Sequence, residues 1–195
     1  MPEEGYIDYF DVLGLDDTCK PGEVRKVYRK QMKSLLMEIH NSRGALTPER
    51  RDAYLLDLAR HNAAYYILRD QVRRDRYVAD RAEVIQLEDA WRKLAGQEGP
   101  ELDRARRAYD GALRHFLSTY LEEYMLEAGR DPDCVEASNW DLAHERHAGR
   151  VLRHHRQRLY HEIHQRLPYA LVTEPAVDWQ QRRAFAVAVI AGKED

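Results

Sequence analysis

The sequence predicts an all-α fold, and three features predict it. Gly and Pro number only 10 and 7 in 195 residues. They gather at breaks: Gly14, Pro21 and Gly22, Gly44, Gly96 to Pro100, Gly129 to Pro132, and Pro168 to Pro175. Between the breaks, apolar residues recur every three to four positions, the period of a helix with one buried side. No pair of alternating segments reads as a strand pair, and no repeat, phosphate loop or nucleophile elbow is present.

The elements follow in order. Val24, Val27, Tyr28, Leu35 and Ile39 form one stripe, and Tyr54, Leu58, Tyr65, Leu68 and Val72 the next. Between them lies a hairpin tip. Gly44 allows the first helix to end in a left-handed turn. Thr47 can cap the second, Pro48 suits its first position, and Glu49 sits at the positive end of its dipole. Val84, Leu87, Trp91 and Leu94 give a further stripe, then Leu102, Ala105, Tyr109, Ala112, Phe116 and Tyr120. These aromatic residues read as packing and not as a stacking platform. Ala148, Leu152, Leu159 and Ile163 give another stripe. The segment from Trp179 to Ile190 alternates like a strand in part, but Pro175 suits a first helical turn and helix is expected.

Composition narrows the class. Hydrophobic residues at 44% and charged residues at 33% fit a folded globular chain. A net charge of -3 gives no global field that would select nucleic acid. Cys19 and Cys134 have no metal-type spacing, which points to a reducing compartment. The acidic start MPEEGYIDYF is not a secretory signal. No window approaches the roughly 18 apolar residues of a membrane span. The expected location is the cytoplasm.

Three blocks resemble a known family. Asp8-Tyr9-Phe10-Asp11-Val12-Leu13-Gly14-Leu15 resembles the opening of a J-domain, the helical module of DnaJ-type co-chaperones. Glu23 to Lys30 resembles its basic second helix. Asn62 to Asp70, with Arg73, Arg74 and Tyr77, resembles its third helix and the basic turn after it. The resemblance covers residues 6 to 78. It implies a J-domain-like domain over 1-78 built on a helical hairpin, with a helical bundle of unassigned role over 79-195.

The departure is at the tip. J-domains carry a His-Pro-Asp triad there, central to stimulating ATP hydrolysis by the partner chaperone. Counted forward from Tyr28, its place falls at Leu36-Met37-Glu38, where there is none. Tyr28 and Asn62 are 34 positions apart (62 − 28), about two helical turns more than the family pattern. One extra turn on each arm would move the tip outward by about 5–6 Å. His40-Asn41-Ser42 would then stand in the triad's structural place. Asn41 lacks proline's fixed backbone angle, and Ser42 lacks aspartate's charge. ATPase stimulation is therefore not expected.

The second helix keeps a basic face. Arg25, Lys26, Arg29, Lys30 and Lys33 recur at helical spacing. In the family such a face meets an acidic surface of a DnaK-type chaperone. With His40, these residues are the expected partner-binding set. The expected function is a protein–protein interaction module: a J-like adaptor or regulator without the triad, acting on a DnaK-type chaperone or another J-protein. The layout is similar to that of iron–sulfur-assembly co-chaperones, and to triad-lacking J-like proteins that restrain a true J-protein. No enzyme activity, metal or cofactor is expected.

A rival reading rests on the His/Arg-rich segment 144-166. His144/His147 and His161/His164 are i,i+3 pairs, a spacing that can chelate metal. The pairs lie about 25 Å apart along a helix and point to different sides. His144 and His155 fall near the apolar stripe; His154, His161 and His164 fall away from it. Arg146, Arg150, Arg153, Arg156, Arg158 and Arg166 make the segment a possible contact for nucleic acid. Glu122, Glu123 and Glu127 on the preceding helix could neutralise part of it. A helical metal-binding or nucleic-acid-binding protein is thus the alternative, and a protein partner is preferred.

Overall fold

The computed structural model describes residues 6–42, 47–97 and 99–166. The fold is all-α. The helices are α1 (Tyr9–Leu13), α2 (Pro21–Ser42), α3 (Pro48–Leu68), α4 (Gln71–Lys93), α5 (Pro100–Ser118), α6 (Tyr124–Ala128), α7 (Pro132–Ser138) and α8 (Leu142–Arg166). A π-helical turn, Thr119–Glu123, joins α5 to α6. None of the described helices is long and apolar enough to cross a membrane. The expected helix near Trp179 to Ile190 and the turn at Gly44 lie outside the described residues.

Local chemistry sets the ends. Asp8 accepts from the Phe10 N–H at 2.9 Å to start α1, and Gly14, at φ 62, closes it in the left-handed region. The Glu23 carboxylate accepts from the Lys20 N–H at 2.8 Å, which is half of a capping box for α2. Thr47 caps α3 through the Arg50 N–H, and Pro48 takes its first position, as the sequence predicts. Asp70 caps α4 and Asp131 caps α7, each through the N–H three residues on.

Helix α2 runs antiparallel to α3: the Tyr28 hydroxyl bonds Asn62 at 2.8 Å, and Tyr54 reaches Ser42 at 3.2 Å toward the other end. Helix α3 is the centre of the molecule. It touches α1, α2, α4, α6, α7 and α8. Ala59, Ala63 and Ala64 are fully buried on it, and such small side chains let neighbouring helices approach closely.

Two expectations need correction. Val72 is 77% exposed and does not continue the α3 stripe, because α3 ends at Leu68 and Asp70 starts a new helix. His40, Asn41 and Ser42 are not tip residues but the last turn of α2. The break that runs from Gly129 to Pro132 leads into α7, a helix of seven residues that no apolar stripe announces. The boundary placed at 78/79 falls inside α4, and one buried core runs from Tyr6 to Ile163 across it.

That core is rich in tyrosine, and its hydroxyls are tied to partners. Tyr77 donates to the Ile7 carbonyl at 2.9 Å, and Tyr120 donates to Asp80 at 2.7 Å. The Tyr9 hydroxyl donates to the Tyr120 carbonyl. This bond accounts for the π turn. The Tyr124 N–H reaches back five residues to the Thr119 carbonyl, which leaves the Tyr120 carbonyl for Tyr9.

Candidate interaction surface on α2

The site starts from the two sides of α2. Val24, Tyr28 and Met32 are buried and fix the helix to the core. On the opposite side Arg25, Lys26, Arg29, Lys30 and Lys33 are all exposed. Arg25/Arg29, Lys26/Lys30 and Arg29/Lys33 are like-charged i,i+4 pairs, each costing a few tenths of a kcal/mol. None of the five forms an ion pair among the described residues. No described residue of the chain relieves that repulsion.

His40 is exposed and makes no hydrogen bond or ion pair among the described residues. It lies one turn beyond Leu36 on the same side of α2 as Arg29 and Lys33. The structure thus brings His40 to one end of the basic face, on the helix itself. Ser42 serves the fold instead, as a partner for the Tyr54 hydroxyl.

A feature absent from the sequence reading stands beside this face. Helix α7 forms the far wall of a cleft of about 550 Å³, lined by Arg29, Lys33, Leu36, Met37, His40 and Asn41 from α2 and by Asp133, Glu136 and Ala137 from α7. Met37 is 57% exposed and places an apolar side chain among these charges. The α7 wall is held firmly. Asn62 donates to Ser138 at 3.0 Å, Ser138 donates to the Cys134 carbonyl at 2.7 Å, and the Cys134 thiol faces the Asn62 carbonyl at 3.7 Å. Burial, then the Asp131 carboxylate, pushes that thiol up to about 12, so it is not reactive. Arg69 binds both Asp131 and Asp133. The Asp131-Pro132 pair was the one sequence signal for α7, since seven residues are too few to show a helical period.

The rival segment is placed differently. Arg150 pairs with Asp52 at 2.9 Å, Arg153 and Arg156 both reach Glu122, and Arg158 pairs with Glu162. His144 bonds Asp141 and stacks on Trp140. His155 is buried and bound to Arg60, while His164 meets Asp110 at 3.2 Å. Among the described residues, no group of three or more His, Cys, Asp or Glu is gathered as a metal ion would need. No family model, curated protein or solved structure matches the chain.

Proposed function

We propose that this chain is a protein-docking module, an adaptor or regulator of the J-like kind, and not an enzyme. The observation that carries the reading is the α2 face: five exposed cations on one helix, with no acid of the described chain to pair them. A complementary acidic protein surface relieves their repulsion and gains steering at long range. The proposed partner is a DnaK-type chaperone or a J-protein of the same cell. His40 lacks a neighbouring proline and aspartate, so docking proceeds without stimulating the chaperone's ATPase.

Arg25, Lys26 and Lys30 stand outside the α2/α7 cleft and are the clean probes of this face. Binding of the purified chain to the organism's own DnaK-type chaperone is expected at low salt and weakens as salt rises. Reversing Arg25, Lys26 and Lys30 to Glu lowers the affinity by about tenfold or more. Chaperone ATPase stays at its basal rate throughout. Absence of binding at low salt, or binding indifferent to the three reversals, defeats the chaperone-docking reading. ATPase stimulation that disappears in His40→Gln would restore His40 as a working residue.

A further inference from the structure

We propose that the α2/α7 cleft is a self-association surface, in which two copies of this chain pair about a two-fold axis and the α2 ridge of each seats in the cleft of the other. This goes beyond chaperone docking and stands independently of it. The ridge is geometrically regular: Arg29, Lys33, Met37 and Asn41 follow one another at i,i+4, and all four line the cleft. Ridges of that kind interdigitate between helices at a crossing angle of about −50°. The ridge also carries the exposed Met37, with Leu36 and Ala137 beside it as further apolar lining.

Charge selects the occupant. One wall is basic, through Arg29 and Lys33, and the other is acidic, through Asp133 and Glu136. A uniformly acidic ligand is repelled by α7, and a uniformly basic one by α2. A ligand that fits must carry both signs, and the cleft itself is such a surface. A two-fold rotation sets the basic wall of each copy toward the acidic wall of the other, so every contact is made twice. The exposed Met37 supplies the apolar contact of the pairing. Asp133 is already engaged by Arg69, whereas Glu136 forms no ion pair among the described residues. Glu136 is therefore the acid that Lys33 of the second copy would meet.

The test uses the full chain in sedimentation equilibrium at low and physiological salt. The wild type is expected to show a monomer–dimer equilibrium that weakens with salt. Lys33→Glu and Glu136→Lys each place like charges across the axis and raise the dimer dissociation constant by about tenfold or more. An equimolar mixture of the two variants restores dimer. In the mixed pair the acid introduced at position 33 faces the lysine introduced at position 136, and the unaltered Glu136 of one copy faces the unaltered Lys33 of the other. Met37→Asp abolishes dimer in every combination. Circular dichroism melting is expected to be unchanged in all three variants, since the residues are on the surface. A wild type that stays monomeric up to about millimolar concentration, the affinity scale of a negligible contact, overturns the proposal. So does a dimer that survives both reversals, or a mixture that fails to recover it. None of these variants alters Arg25, Lys26 or Lys30, so failure here is distinct from failure to bind a chaperone.

Discussion

His155 shows what a single side chain can do when buried beside cations. It is 6% exposed, and Arg60 places a guanidinium nitrogen 2.9 Å from its Nε2. An arginine only donates, so Nε2 accepts from Arg60, and the Arg158 guanidinium lies 3.5 Å from Nδ1. Burial, then the charges of Arg60 and Arg158, holds the imidazole down at about 4. In the unfolded chain it titrates near 6.5. Below that value the unfolded state takes up a proton that the folded state refuses. The neutral imidazole thus contributes stability that is complete above 6.5 and is lost as pH falls toward 4. Between about pH 7.5 and pH 5 the loss amounts to roughly 2 kcal/mol. His155→Gln keeps an acceptor for Arg60 but cannot titrate. Urea unfolding at the two pH values is expected to show a smaller pH dependence for the variant; an equal dependence would remove His155 from the account. The apolar spacing of α8 does place His155 on the inner side, so its burial was legible. Arg60 was not, because it arrives from α3, 95 positions earlier in the chain.

Among the elements, the breaks were easier to read than what they are for. Gly129 lies in a predicted break, yet it does not adopt a left-handed conformation: its φ is -64. It is needed for space. A Cβ placed there would meet the Trp140 indole at 2.8 Å, and Trp140 is itself buried. Gly129→Ala therefore forces the ring or the α6–α7 connection to move and is expected to cost about 1–3 kcal/mol. Gly111, inside α5, has nothing within 4 Å of its would-be Cβ. Gly111→Ala is expected to stabilise by about 0.5–1 kcal/mol. Opposite signs in thermal melting of the two variants support this account, and a neutral Gly129→Ala refutes it. The long amphipathic helices were visible from period alone. The short α7 and the π turn were not, because both are fixed by distant partners: Asn62 for α7 and Tyr9 for the Tyr120 carbonyl. The α3 stripe was misread at its end for a related reason. The last two turns of α3 are buried nearly all round, from Asn62 to Leu68, so no polar side there marks where its burial stops.

At the scale of the molecule, residue types revealed the basic half of the candidate site but not its acidic half. Five cations and His40 are close in sequence, whereas Glu136 comes from a helix about a hundred positions later. The same long-range closure governs whether residues 1-78 make a folding unit. Tyr9 bonds the Tyr120 carbonyl, Tyr6 bonds Glu88 and Tyr109, and Asn62 bonds Ser138. Tyr77 packs on Phe116 and Tyr120. All these partners lie beyond residue 78. A fragment ending there would uncover Tyr9, Tyr77 and much of α3, at about 1.5–3 kcal/mol for each large apolar side chain returned to water. Two or three such losses, with the unpaired polar groups, equal the whole stability of a typical domain, about 5–15 kcal/mol. The fragment 1-78 is therefore expected to keep partial helicity but to melt without a cooperative transition, while the full chain unfolds in one step. Circular dichroism melts of both decide the matter. A sharp transition in the fragment would make residues 1-78 a domain in their own right, with the rest of the chain an addition to it.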